Sequence, residues 1–134
     1  MLAPVTVGGT RDQFRCIVID PGLTEDAWIT GIEVRPGNTE VVHHVLVWGD
    51  PDRNGQRIAQ NAGSADTYEC FGAPGFVAPL LNAWAPGSLP LETPPDVAIP
   101  LRKGSHIVLN MHYHPTGRGD ATDQTGVALR YTTT

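Results

Sequence analysis

The chain has five histidines, and all five fall in two short stretches. His43 and His44 lie in V-V-H-H-V-L-V-W, Val41–Trp48; His106, His112 and His114 lie in S-H-I-V-L-N-M-H-Y-H-P, Ser105–Pro115. A chain that binds a metal through imidazole nitrogen must gather histidine in this way. Neither stretch offers a thiolate or an obvious carboxylate partner, and an all-imidazole donor set suits copper or zinc. Calcium and magnesium require oxygen ligands and are disfavoured. Cys16 and Cys70 are not in a C-x-x-C spacing, which argues against a structural zinc site.

Both stretches read as strands, where side chains alternate between faces. In the second, Ile107, Leu109, Met111 and Tyr113 form an apolar stripe suited to a core, and His106, Val108, Asn110, His112 and His114 share the opposite face. His112 and His114 can therefore reach one ion or two neighbouring ones, before Pro115 ends the strand. A single strand histidine is more often a surface or hydrogen-bonded core residue. Two on one face, with a His-His pair elsewhere, favour a metal. His43 and His44 are consecutive and would point to opposite faces of a regular strand. Both can serve one metal only if the backbone bulges, as it often does beside functional sites; otherwise one ligates and the other packs. Val41, Val42, Val45, Leu46 and Val47 place this segment centrally, apolar on both faces. An unpaired imidazole buried there would cost free energy that a metal would offset.

The elements that must position these strands are short and separated by turns. Gly and Pro number 15 and 12 and punctuate the apolar runs, as in all-β chains. Met1–Gly9 reads as an edge segment, Gln13–Asp20 as a strand entering the core, and Trp28–Arg35 as a half-buried strand with Trp28, Thr30, Ile32 and Val34 on one face. Thr24–Asp26 could cap a helical turn, but nothing amphipathic follows. Gly49–Thr67 reads as a long exposed loop, and the proline-rich Pro86–Pro100 as a surface crossing with a short strand at Val97–Leu101. Gly126–Thr132 closes the sheet. The expected architecture is all-β: one domain over 1–134, an antiparallel β-sandwich of about eight strands, of jelly-roll type, with no convincing helix.

Composition narrows the function classes. With 40% hydrophobic and 17% charged residues and a net charge of −5, the chain reads as an ordinary globular domain. Nine Lys and Arg without a cluster exclude a nucleic-acid partner. No apolar run reaches the ~20 residues of a membrane helix. The first residues lack the charged and apolar regions of a signal peptide, and their strand-like character suggests an excised domain. Cys16 and Cys70 either form one bridge, worth roughly 4 kcal/mol in the chain-entropy model, or remain two buried thiols.

The ordered set V-V-H-H-V-L-V-W, A-W-A-P-G, and I-V-L-N-M-H-Y followed by D-Q-T-G-V-A-L resembles the N-terminal catalytic domain of the copper type II, ascorbate-dependent monooxygenases. That family includes the peptidylglycine α-hydroxylating and dopamine β-monooxygenases, and the H-Y-H-P-T-G run is closest to bacterial members. The resemblance spans about Phe14 to Tyr131. It implies a jelly-roll-like sandwich and a mononuclear copper, cycling between Cu(I) and Cu(II), held by His43, His44 and His112. It further implies ascorbate or another small reductant as electron donor, an extracytoplasmic setting, and a second copper domain that activates oxygen. These 134 residues match the first domain alone, so the expectation is a domain that binds copper without hydroxylating by itself and could pair with a second copy through the uncovered surface. Asn110 stands where the animal enzymes have glutamine. Cys16 and Cys70 lie near family cysteine positions, with no pairing implied between them. His114 has no counterpart ligand, so it is a candidate fourth ligand, an outer-shell residue or a strand-end hydrogen bonder.

Two other classes compete. Three histidines could instead hold zinc in a hydrolase or lyase, where an open coordination position activates water; Asp120 and Asp123 are then the nearest acidic residues to serve as base. A non-catalytic copper-binding or storage module is the third reading. The R-G-D at Arg118–Asp120 is a common chance match. Cupins and copper–zinc superoxide dismutases share H-x-H but need acidic ligands not found here.

Overall fold

A computed structural model describes residues 4–134. Two antiparallel sheets face each other across an apolar core, with a small third sheet beside them. The strands are β1 (Val5–Val7), β2 (Gln13–Ile19), β3 (Ala27–Arg35), β4 (Val42–Asp50), β5 (Thr67–Glu69), β6 (Leu80–Trp84), β7 (Leu91–Glu92), β8 (Ile99–Leu101), β9 (His106–Tyr113), β10 (Ala121–Asp123) and β11 (Gly126–Thr132). The first sheet has the order β5-β2-β9-β4-β6; in the second, β3 lies between β11 and β7 and also pairs with β8. β1 and β10 form the third.

This is the expected all-β antiparallel sandwich. It has eleven strands among the described residues rather than about eight. The additional ones are the two- and three-residue β5, β7 and β10, too short for an alternation to register in the sequence. Residues 1–3 of the expected edge segment lie outside the described residues.

One face of β9 does what its stripe foretold. Ile107, Leu109, Met111 and Tyr113 are fully buried in the main core with Ile29 and Ile32 of β3 and Val45 and Val47 of β4. Truncating one of these aliphatic side chains to Ala would cost about 2–5 kcal/mol.

Two expectations are corrected. Gly49–Thr67 is not one exposed loop, because it contains α1 (Asn54–Asn61), which buries Gly55 and Ala59. The Asp50 carboxylate, fully buried, accepts hydrogen bonds from the backbone N–H groups of Asn54 (2.9 Å) and Gly55 (2.8 Å). It thereby satisfies two of the donors that a helix start leaves free. The helix covers a second, smaller core of Cys16, Val18, Ala59, Tyr68, Cys70 and Val108 on the outer face of the five-stranded sheet. At eight residues, polar on average and with the small Gly55 and Ala59 as its buried residues, the helix offers few apolar positions for a pattern to rest on. Gly55 is required by this close approach: a Cβ there would meet Val108 Cγ2 at 2.9 Å.

The second correction concerns β3. Trp28 and Thr30 do not share a face with Ile32 and Val34. Arg130 pairs with Gly31 and Tyr131 with Ile29, so Thr30 is an extra residue, and the bulge reverses the alternation. Ala27 and Ile29 point inward, as Ile32 and Val34 do beyond the bulge, and Trp28 is 44% exposed.

Candidate metal centre

Cross-strand register builds the site. Phe14 of β2 pairs with His112 of β9, and His112 pairs with His44 of β4. These three side chains form one row across the outer face, at the end that α1 does not cover. The next rows are Cys16, Asn110 and Leu46, then Val18, Val108 and Trp48.

β4 meets β9 irregularly here. Val42 pairs with Tyr113 and His44 with His112, which leaves His43 as the extra residue of a bulge. Val42 and Val45 remain buried on the core side, and His43 and His44 are both exposed on the outer side. The bulge thus resolves the parity problem of two consecutive histidines. It also corrects one detail: the segment is central and apolar, but the two imidazoles are not buried within it.

His43, His44 and His112 form a group whose ligand nitrogens all lie within 4.8 Å of one another, and it could hold a metal ion. Nδ1 of His43 is 2.8 Å from Nδ1 of His44, which is 3.4 Å from Nδ1 of His112. Metal–nitrogen bonds of about 2.0–2.1 Å at tetrahedral or trigonal angles place donors roughly 3.3–3.6 Å apart. The His44–His112 spacing matches this, and the His43–His44 pair is closer by about half an ångström. Two neutral imidazoles cannot both aim lone pairs at each other over 2.8 Å. One must carry a proton there, or a cation must sit against both. The rings of His43 and His112 lie 4.7 Å apart, edge to face.

The electrostatics favour the ligand-competent form of His44. Desolvation beneath its neighbours, followed by repulsion from His43 and His112, lowers its pKa and keeps the ring neutral. Metal binding needs that neutral form.

Two contributors were not legible in the sequence. Phe14 stacks on His112, with centroids 4.5 Å apart and planes at 17°, and Phe71 lies 5.9 Å from Phe14. An open groove of about 460 Å³ is lined by Asp12, Phe14, Arg15, Glu69 and Phe71 among others. Asp12, just before β2, accepts a hydrogen bond from Nε2 of His112 at 2.8 Å and another from Nδ1 of His114 at 2.6 Å. These two bonds, that from His112 foremost, hold the Asp12 carboxyl below its usual pKa range. His114 therefore faces Asp12, outside the three-histidine group. His106 lies at the far end of β9, buried, with Nε2 3.8 Å from Asp20.

Of the acidic residues expected nearest the site, Asp120 is exposed on a loop. Asp123 is buried and accepts hydrogen bonds from the Tyr113 hydroxyl (2.7 Å), Thr125 and the Asn38 N–H. Tyr113 lies on the core face of β9, opposite His112, so Asp123 does not face the histidines.

Cys16 and Cys70 form a disulfide that closes a 54-residue separation. Such a bond fits an oxidising compartment. Among the described residues, no helix is long and apolar enough to cross a membrane. No protein-family model matches the sequence, and no curated protein matches it at a significant level.

Proposed function

We propose that this chain is a mononuclear copper domain that transfers electrons within an ascorbate-dependent monooxygenase, with His43, His44 and His112 as ligands through Nδ1. The observation that carries the metal reading is the β4 bulge, which sends two consecutive histidines to the face where β9 presents a third. The choice of copper rests on the all-imidazole donor set and on the resemblance of the three ordered motifs. Copper bound there would accept and release single electrons. The chain's own residues supply the geometry: the bulge converges the nitrogens, and the Phe14 ring covers one face of His112. The disulfide supports an extracytoplasmic location. Ascorbate, or another small reductant, and a second oxygen-activating domain are the partners this reading implies.

A zinc hydrolase would need a free base beside the metal. Asp12, the carboxylate at the site, is already committed to two imidazoles, which weighs against that alternative. The test is metal analysis of protein purified without added metal, with copper(II) electron paramagnetic resonance. A single copper per chain is expected, with nitrogen coupling, reduction by ascorbate, and loss on His112→Ala. Copper affinity unchanged in His112→Ala would defeat the reading, and zinc at full occupancy would replace copper in it.

A further inference from the structure

We infer that Asp12 and His114 form an outer clamp that sets the orientation and tautomer of His112, and that His114 is not itself a ligand. This rests on the three-histidine reading above.

Asp12 Oδ2 lies 2.8 Å from His112 Nε2, and Asp12 Oδ1 lies 2.6 Å from His114 Nδ1. One carboxylate thus spans two imidazoles that leave β9 on the same side. An ionised carboxylate only accepts hydrogen bonds, so each ring must present N–H to it. For His112 that places the proton on Nε2 and leaves Nδ1, the nitrogen 3.4 Å from His44 Nδ1, free to bind a metal. A metal-bound imidazole whose other nitrogen donates to a carboxylate is held in one tautomer and made a stronger donor.

The clamp is fixed from both ends. Gln13 pairs with Tyr113, so Asp12 stands level with His114 one step beyond the ladder. The Gln13 side-chain amide donates to the Gly8 carbonyl at 2.7 Å, tying down the turn that carries Asp12. On the other side the His114 N–H donates to the Val41 carbonyl at 2.8 Å, beside the β4 bulge. His114 is the most exposed of the three clamp side chains, at 66% against 42% for Asp12 and 21% for His112. Its committed Nδ1 and open position suit an arm that steadies the carboxylate rather than a fourth ligand.

The experiment compares wild type with Asp12→Asn, Asp12→Glu and His114→Ala by two readouts. The first is the tautomer of His112 in metal-free protein, from long-range proton–nitrogen NMR. The second is copper(II) affinity and the copper(II)/copper(I) midpoint. Wild type should show His112 protonated at Nε2. Asp12→Asn cannot accept from both rings, so it should mix the tautomers, weaken copper about 10–100-fold and raise the midpoint. Asp12→Glu should recover part of each. His114→Ala should weaken copper by less than Asp12→Asn and leave the nitrogen coupling pattern intact. An unchanged tautomer and affinity in folded Asp12→Asn would overturn the clamp while leaving the three-histidine reading standing. A loss in His114→Ala as large as in His112→Ala, with one coupled nitrogen fewer, would also overturn it. A wild type that binds neither copper nor zinc, yet keeps His112 protonated at Nε2, supports the clamp and defeats the metal reading instead.

Discussion

His106 and His112 sit on the same face of β9, at its two ends, and the sheet treats them in opposite ways. His106 pairs across the ladder with Asp50, is only 4% exposed, and has no hydrogen-bond partner for Nδ1 among the described residues. His112 pairs with His44, stacks on Phe14, and has both nitrogens facing polar atoms. The strand is the same; what lies over it differs. At the His106 end, α1 covers the sheet and makes a second core with Val18, Val108 and, from the edge strand β5, Tyr68. At the His112 end no helix of the described residues covers the row: Phe14 stacks on His112, and His43 and His44 stay exposed. One end of the face is therefore packed as core and the other leaves a three-histidine group that could hold a metal ion, and perturbations should separate accordingly.

The largest effect on the covered end should come from the disulfide. Replacing Cys16 and Cys70 by Ser releases a 54-residue separation, which should lower unfolding free energy by about 4 kcal/mol. Urea melts with and without the replacements check this. Copper affinity of the folded fraction should change little, because neither sulfur lies in the His112 row. A tenfold loss of affinity at constant fold would break the division between the ends.

The reverse experiment is to delete His43. Since Val42 already pairs with Tyr113 and His44 with His112, removing the extra residue leaves a regular ladder. The chain should fold with stability within about 1 kcal/mol of wild type, because the lost residue is exposed and unpaired in the ladder. Metal affinity should fall at least about 100-fold, or about 3 kcal/mol, as one of the three proposed ligands disappears. Calorimetric metal titration beside a thermal melt decides it. Unfolding on deletion would mean that the bulge is needed for the fold and not only for the site.

These cases show what could be read without coordinates. The two faces of β9 followed from strict alternation, and so did the need for a bulge at His43-His44. The same logic fails on β3, where the bulge at Thr30 has no marker such as two consecutive functional residues, so alternation alone puts Trp28 on the wrong face. Asp12 was invisible for another reason. Its role depends on β2 pairing with β9 in one register, a contact between distant parts of the chain that no local pattern encodes. Helix α1 escaped because its burial rests on Gly55 and Ala59, whose small side chains carry little hydrophobic signal but permit close approach.

A smaller change tests that approach directly. Gly55→Ala would place a methyl group 2.9 Å from Val108 Cγ2 and 3.2 Å from Val18 Cγ2. Overpacking of this kind costs about 1–3 kcal/mol, against the slight gain in helix propensity. Chemical denaturation should record the loss, and the His112 row should keep its metal affinity. A neutral or stabilising substitution would mean that α1 rests more loosely on the sheet than these contacts require.

The last perturbation is pH, and it reaches the covered end through Tyr68. Burial, and then the nearby Asp50 charge, raise its pKa from the ordinary value of 10.0 to about 12. The folded state therefore favours the neutral phenol, whose hydroxyl donates to the Pro74 carbonyl. Because the folded value lies above the unfolded one, the stabilisation is complete below about pH 10 and is lost as pH rises through about 12. At about pH 11 the Tyr68 contribution alone should have fallen by about 1 kcal/mol. Tyr113, raised in the same direction by burial and its bond to Asp123, adds to the loss on the core side. Urea melts at about pH 8 and about pH 11, with phenolate absorbance followed in parallel, should show lower stability at the higher pH. In the Tyr68→Phe variant the difference between the two pH values should shrink. If it is the same size in Tyr68→Phe, the alkaline sensitivity belongs to the core face, and the covered end gains nothing from keeping this phenol neutral.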